Sequence, residues 1–247
     1  MKVLLCGFGL MGKKVYKAIK TTPNFELIGV VSNVFDEQIP EPMYEKVSDV
    51  KEVADCVIDF SHPANLTDIL NYGVTNKAKL VIATTGLSAD QIKEVEAASE
   101  HTAIFQSYNT SFGVQMVTKI VREVVKEFYE NGFDIEILEK HHNKKIDAPS
   151  GTAKLIYEVM EEEVEELKPV YDRSSLHQRR EHNEVGIQSM RGGTIFGEHT
   201  IMFAGNDEII ELSHTALSKE VFAQGAIAAA KNLQDKEKGL YNLKTLY

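Results

Sequence analysis

Three glycines at the spacing G-x-G-x-x-G, in Gly7-Phe8-Gly9-Leu10-Met11-Gly12, stand between an apolar run, Lys2–Cys6, and a helical pattern through Val15, Ala18 and Ile19. A second apolar run, Glu26–Val31, follows. Strand, glycine turn, helix and strand within about thirty residues form the βαβ fingerprint of a dinucleotide-binding fold. In that setting Gly7 permits the tight turn, Gly9 lets a pyrophosphate approach the backbone, and Gly12 lets the helix pack on the strand. The feature also fixes the sheet type, because a βαβ unit opens a parallel sheet covered by helices on both faces.

The pattern continues along the first half of the chain. Apolar runs at 55–60, 79–83 and Ala103–Gln106 alternate with helices starting near Ala64 and Ser88. They end in Ser61-His62-Pro63, Ala83-Thr84-Thr85-Gly86 and Ser107-Tyr108-Asn109-Thr110, small polar turns of the kind that line the cofactor crevice of an open α/β sheet. His62 reads as a turn residue. The end of the second strand carries Ser32-Asn33 where Asp or Glu would bind an adenosine ribose, so NADH and NADPH both remain open, with Lys13 and Lys14 as possible aids to a 2′-phosphate.

After a long amphipathic helix from Ser111 to about Glu130, the period changes to alternation at 133–139, 185–190, 194–203 and 208–214, which is the mark of a mixed or antiparallel sheet. The expectation is an α/β chain: a Rossmann-type parallel-sheet domain, 1–109 and 217–247, plus a second α+β domain, 110–216, with a mixed or antiparallel sheet. A helix at 221–233 would return to the first domain. Residues 169–183 are polar, basic and poor in apolar side chains, and read as a solvated mobile loop. With 43% hydrophobic residues a packed core is assured, while a net charge of -10 argues against a nucleic-acid partner. Cys6 and Cys56 lie inside apolar runs and read as two inert core thiols. With no leader pattern before the first strand and no apolar run of membrane-spanning length, a cytoplasmic protein without a membrane partner is expected.

The densest chemistry lies in Glu139-Lys-His-His-Asn-Lys-Lys-Ile-Asp-Ala-Pro-Ser-Gly-Thr-Ala153. The alternating run before it puts His141 and His142 at a strand's end, and the helical pattern of Leu155, Ile156 and Val159 after it makes Ser150 or Thr152 the cap. Free amides at that helix start, opened by Gly151, suit a carboxylate or phosphate, and Lys144 or Lys145 adds positive charge. The segment is thus an anion clamp beside groups that move protons near neutral pH. Metal is not expected: adjacent histidines point apart from a strand, and no Cys-x-x-Cys or His-Glu-x-x-His supplies further ligands.

Together the glycine turn, Asp59-Phe-Ser, Ala83-Thr-Thr-Gly-Leu87, Tyr108-Asn-Thr-Ser-Phe-Gly113, His-His-x-x-Lys-x-Asp-Ala-Pro-Ser-Gly-Thr-Ala and Arg191-Gly-Gly…Gly197-Glu-His-Thr200 resemble the 4-hydroxy-tetrahydrodipicolinate reductase (dihydrodipicolinate reductase) family nearly end to end. The resemblance implies NADH- or NADPH-dependent reduction of a cyclic unsaturated imine bearing two carboxylates, in lysine and diaminopimelate synthesis. It implies His141 as acid/base group and Lys145 as proton donor, with His142, Lys145, Ser150, Gly151 and Thr152 holding this small dicarboxylate. Cofactor contacts would come from Gly7, Phe8, Gly9, Leu10, Met11, Gly12, Asn33, Ala83, Thr84, Thr85, Ser107, Tyr108, Asn109 and Thr110. Leu10 and Ala83 stand where the family often has Arg and Gly, and the family is typically homotetrameric through its second-domain sheet. Two other readings keep the same fold: a dehydrogenase of another amino-acid-derived imine, and a non-catalytic dinucleotide sensor.

Overall fold

Apolar runs with no polar alternation can be satisfied only where both faces of a strand are covered, and the first unit is built on that condition. A computed structural model describes residues 1–34, 36–243, 245 and 246; positions 244 and 247 of the expected return segment lie outside the described residues. Contacts group the chain into two compact units, Met1–Ser111 with Lys219–Tyr247, and Phe112–Ser218.

The first unit opens with β1 (Lys2–Cys6), α1 (Leu10–Thr21), β2 (Glu26–Val31) and β3 (Met43–Tyr44). It continues through β4 (Cys56–Asp59), α2 (Leu66–Asn76), β5 (Lys79–Ile82), α3 (Ala89–Ser99) and β6 (Ala103–Gln106). The two helix starts expected near Ala64 and Ser88 resolve differently. His62 accepts from the Ala64 amide and caps a 3-10 turn, Pro63–Asn65, ahead of α2, whereas Ser88 caps α3 directly in a capping box with Gln91.

The second unit runs α4 (Phe112–Glu130), β7 (Asp134–His141), α5 (Gly151–Glu163), β8 (Lys168–Val170), β9 (Glu184–Arg191), β10 (Gly197–Ala204) and β11 (Ile209–Ala216). Its sheet has the order β11-β10-β7-β9-β8 and is mixed: β10 is antiparallel to both β7 and β11, while β7–β9 and β8–β9 are parallel. Helices α4 and α5 cover one face, packing Val121, Val125, Ile156 and Met160 onto Ile135, Ile137, Val185, Ile201 and Phe203. The inward phase of β7 is Ile135, Ile137, Glu139 and His141, so its buried row turns from apolar to polar toward the strand's C-terminal end.

The chain returns to the first unit as α6 (Glu220–Leu233) and β12 (Gly239–Tyr241). The sheet there is β12-β6-β5-β4-β1-β2-β3, parallel at every pairing. Ala223, Ala226 and Ala230 of α6 join Val15 and Ile19 of α1 against Val3, Leu5 and Ile58, while Leu66, Ile69 and Val95 of α2 and α3 pack on Leu4, Val57 and Leu80 of the other face. Cys6 and Cys56 are buried and unpaired, and burial pushes both thiols up, Cys56 to about 12, which makes them inert core residues as expected.

The short strands β3, β8 and β12 escape a sequence reading because two or three residues carry no measurable period. The stretch 169–183, expected as a solvated loop, is mostly exposed and without regular structure after β8, but two of its basic residues are not solvated. Arg180 from this stretch is mostly buried and donates to Asp134 (2.5 Å), to Glu136 (3.2 Å) and to the carbonyls of Ile135 and Glu184; Arg173 pairs with buried Glu184. Basic residues that look solvated in sequence are here the ties that hold the segment onto β7 and the start of β9. Arg180→Ala takes a donor from two carboxylates and four carbonyls, those of Ile135, Glu181, His182 and Glu184, so we expect a loss of about 1–3 kcal/mol and faster proteolytic cleavage within 171–183, measured by urea unfolding and limited digestion.

Candidate active site

Strand register assembles the polar end of the second unit's core. Glu139 of β7 lies opposite His199 of β10 on one side and Ser189 of β9 on the other; His141 lies opposite Arg191, and His199 opposite His214 of β11. Because side chains alternate faces, this register places Glu139, His141 and His199 on the buried face.

Glu139 is fully buried and saturated with donors. Its Oε1 accepts from the Ser150 amide (3.0 Å), Ser189 Oγ (2.8 Å) and Arg191 Nη2 (2.7 Å); its Oε2 meets Arg191 Nη1 (2.8 Å) and His141 Nδ1 (2.6 Å). Burial pushes the carboxyl up, but the bonds from Arg191, His141, Ser189 and Ser150 outweigh it and hold it at about 2. Arg191 also donates to the Asp147 carbonyl, and Gly192 N bonds the His141 carbonyl, so the 142–149 loop is tied down at both sides.

Ser150 caps α5, accepting from the Ala153 amide, and its Oγ is 3.0 Å from His199 Nε2. The expected clamp at Ser150, Gly151 and Thr152 therefore needs amending: the Ser150 amide serves Glu139 and its buried hydroxyl meets the Ala153 amide and His199, so Ser150 shapes the helix start, where Gly151 faces outward toward an incoming anion. Gly151 is exposed, with open space where a side chain would stand. His142 is half-buried, and Lys145, also half-buried, pairs with Asp147 at 2.8 Å. His141 is lowered by burial, which outweighs the pull of Glu139, and Lys145 and Arg191 add to the lowering; His199 is lowered to about 3, again by burial first. Among the described residues no group of three His, Cys, Asp or Glu side chains could hold a metal ion.

In the first unit, Gly7 has φ +91 and a side chain there would meet the Phe60 carbonyl at 2.4 Å. Gly9 begins α1 with open space around it and no side-chain cap, and the first turn contains no acidic residue, so the helix amides face outward for an anion such as a pyrophosphate. At Gly12 an added Cβ would sit 2.0 Å from the Gly7 carbonyl, which is the close packing expected of that glycine. These features fit a dinucleotide. Leu10 is exposed, Met11 is half-buried and Phe8 is buried against Tyr16, so only the Phe8 backbone can reach a ligand. Ala83 and Thr84 are buried while Thr85 is exposed; Thr84 Oγ1 bonds Asp59 at 2.7 Å, and Asp59 also accepts from the Ser61 amide, joining the turns after β4 and β5. Ser107 and Asn109 shape their own turn, Tyr108 is half exposed, and Thr110 Oγ1 bonds the Phe222 carbonyl of α6. Asn33 is exposed past the end of β2, and Lys13 is paired with Asp36 (2.9 Å) and Glu37 (3.3 Å).

Sequence reasoning passed over Glu139, Arg191 and His199 as site residues. A signal existed. Along 133–139 the apolar phase is 133, 135, 137, so Glu139 falls on the buried phase and Leu138 on the other; His199 falls likewise in phase with Ile201 and Phe203. A carboxylate or imidazole on an apolar phase marks a buried polar group that must find partners.

Family models for the N-terminus and C-terminus of dihydrodipicolinate reductase match residues 1–110 and 113–246. A 4-hydroxy-tetrahydrodipicolinate reductase of Exiguobacterium sibiricum is 47% identical over 247 residues, covering 100% of this chain and 96% of that protein. One of the same name from Staphylococcus epidermidis is 43% identical over 246 residues with full coverage of both. The solved dipicolinate-bound dihydrodipicolinate reductase of Paenisporosarcina sp. TG-14 shares the fold, with TM-score 0.82 at 21% identity over 98% of this chain and 97% of that one.

The lowered histidines set a pH dependence. A group neutral in the fold but protonated when unfolded stabilises fully above its unfolded value and loses that stability as pH falls. For His199 the loss starts near 6.5 and runs toward about 3, and Glu139 adds to it below 4.5. The unfolding free energy measured in urea should thus drop between pH 7 and pH 5, with a slope from His199 that approaches about 1.4 kcal/mol per pH unit below 6.5, and His199→Asn should flatten that slope.

Proposed function

The chain belongs to the dihydrodipicolinate reductase family, and from that premise we propose how its residues divide the reduction of 4-hydroxy-tetrahydrodipicolinate to tetrahydrodipicolinate. It is a nicotinamide-dependent oxidoreductase of lysine and diaminopimelate biosynthesis. When bound, the nicotinamide supplies the hydride.

The first unit, Met1–Ser111 with Lys219–Tyr247, holds the nucleotide, and the second, Phe112–Ser218, holds the substrate; each bound lies within two residues of the one expected from sequence. The pyrophosphate would be held by the amides at the start of α1, from Gly9 to Gly12, with Gly7 shaping the turn because its own amide donates to the Val31 carbonyl; Ala83, Thr84, Thr85 and Ser107 to Thr110 would contribute mainly through backbone, since Thr84 and Thr110 have committed side chains. Asn33 faces the adenosine ribose. NADH is used at least as well as NADPH, because Lys13 is already balanced by Asp36 and Glu37 and rewards no further phosphate.

One observation supports the site assignment above the rest: a histidine bonded to a buried carboxylate shares one segment with a lysine and the exposed start of α5. The substrate carboxylates are held by the Gly151 amide, the amide and hydroxyl of Thr152, His142 and Lys145 at the helix start that Ser150 caps, assisted by the helix dipole. His141 acts as acid/base group. Loss of the 4-hydroxyl as water gives an unsaturated imine, conjugate addition of hydride turns it into an enamine, and Lys145 donates the proton that quenches the enamine, its ammonium held ready by Asp147.

Assembly as a homotetramer through the second sheet is supported by exposed Met190, Ile209 and Ile210 in β9 and β11. The cytoplasm is the proposed location, in keeping with two unpaired cysteines. Among the described residues no helix is long and apolar enough to cross a membrane.

With freshly made substrate, oxidation of NADH and of NADPH in separate assays tests the whole reading; marked preference for NADPH would return Lys13 to a phosphate-binding role. Lys145→Ala should lower kcat by about 10²–10⁴-fold with nucleotide affinity unchanged, and an unaltered kcat would remove the proton-donor role. Thr152→Val should mainly raise KM for the dicarboxylate, as loss of an interaction made equally before and during the chemical step does.

A further inference from the structure

The geometry assigns Glu139 as the positioning residue of His141: clamped by the Arg191 fork, its carboxylate holds the imidazole with Nδ1–H inward and presents the Nε2 lone pair to the space that Gly197 leaves open. The assignment rests on the reading of His141 as acid/base group and goes beyond it by naming which ring nitrogen works and what fixes it.

An ionised carboxylate only accepts, so the imidazole nitrogen 2.6 Å from Glu139 Oε2 must be the donor. That commits neutral His141 to the Nδ1–H tautomer and leaves its basic lone pair on Nε2. Five donors converge on the two oxygens of Glu139 from three places: β9 supplies Ser189 and Arg191, the cap of α5 the Ser150 amide, and β7 itself His141. The carboxylate can neither rotate away nor take up a proton without breaking several of these bonds at once. Arg191 has a second effect. By sharing the carboxylate it limits how far Glu139 can hold a proton on His141, so the imidazole can both give and accept one.

Gly197 completes the arrangement. It begins β10 with a backbone conformation open to any residue, yet a Cβ there would sit 3.0 Å from His141 Nε2. Glycine at this place keeps the lone pair uncovered. The charged and titratable groups facing His141 are Glu139 on its own strand, Lys145 with its partner Asp147 from the following loop, Arg191 from β9, and His199 from β10 with its ring 5.2 Å away, edge to face. His214 stands beyond His199 on β11. Only Glu139 among them accepts a hydrogen bond from the ring, so its removal has a direction: the imidazolium loses its anion while Lys145 and Arg191 remain.

The test labels the full-length protein with ¹⁵N-histidine and follows the His141 imidazole across pH without substrate, assigning its signals by their absence in His141→Gln. The native protein should show the Nδ1–H tautomer above its titration midpoint. Glu139→Gln should move that midpoint to lower pH by about one pH unit or more, and the acid limb of kcat/KM should move with it while KM for the nucleotide stays unchanged. An Nε2–H tautomer in the native protein, or an unmoved midpoint in Glu139→Gln, overturns the assignment. The native measurement needs no variant to fold, and Gly197→Ala supplies a second variant: it should retain the tautomer and lower kcat at least tenfold, and full turnover would show that Nε2 is not the working nitrogen. Full turnover in His141→Gln would overturn the parent reading and this role with it; a wrong tautomer with His141→Gln inactive would overturn the role of Glu139 alone.

Discussion

A carboxylate with no exposed surface is tolerated only if its charge is matched on every side, and Glu139 imposes that condition on the whole second unit. Its partners come from two strands and a helix start, so the register of β7 against β9, the entry of α5 and the placement of the Arg191 guanidinium have to be right together. The same demand gives the unit its rigidity where chemistry is done. Glu139 extends a row whose earlier members, Ile135 and Ile137, are ordinary core, so the polar cluster is continuous with the apolar packing that braces it.

The first unit solves a different problem with different means. Its turns must expose backbone amides to a ligand, so they carry glycine and small polar residues whose side chains bond to neighbouring turns. Buried Asp59 works there much as Glu139 does in the second unit, joining the Ser61 amide to the Thr84 hydroxyl, but with no cation beside it burial pushes its carboxyl up. The contrast shows how Arg191 decides the charge state of a buried acid.

Much of the fold was legible because long apolar runs and alternating runs report how many faces of a strand are covered. Runs such as Lys2–Cys6 gave the parallel sheet, and 133–139 with 208–214 gave the mixed one. The glycine turn and the start of α5 were legible because capping and close approach restrict residue type locally. Glu139, Arg191 and His199 were not, since their significance depends on partners some fifty or sixty positions away that only sheet register brings together. Arg180 misled for a similar reason: a basic residue in a polar stretch reads as solvated until the carboxylates of Asp134 and Glu136 are found beside it.

The first unit's sheet is completed only by the return of the chain, since β12 pairs with β6 and α6 covers one face. Every residue of the second unit is synthesised between β6 and that return. During translation the incomplete sheet therefore waits, with the β6 edge and the apolar surface later sealed by Ala223, Ala226 and Ala230 exposed, until more than a hundred further residues have left the ribosome. The second unit has no such dependence on later sequence. Vectorial synthesis thus favours an order in which the surroundings of His141 are finished before the parallel-sheet fold that begins the chain.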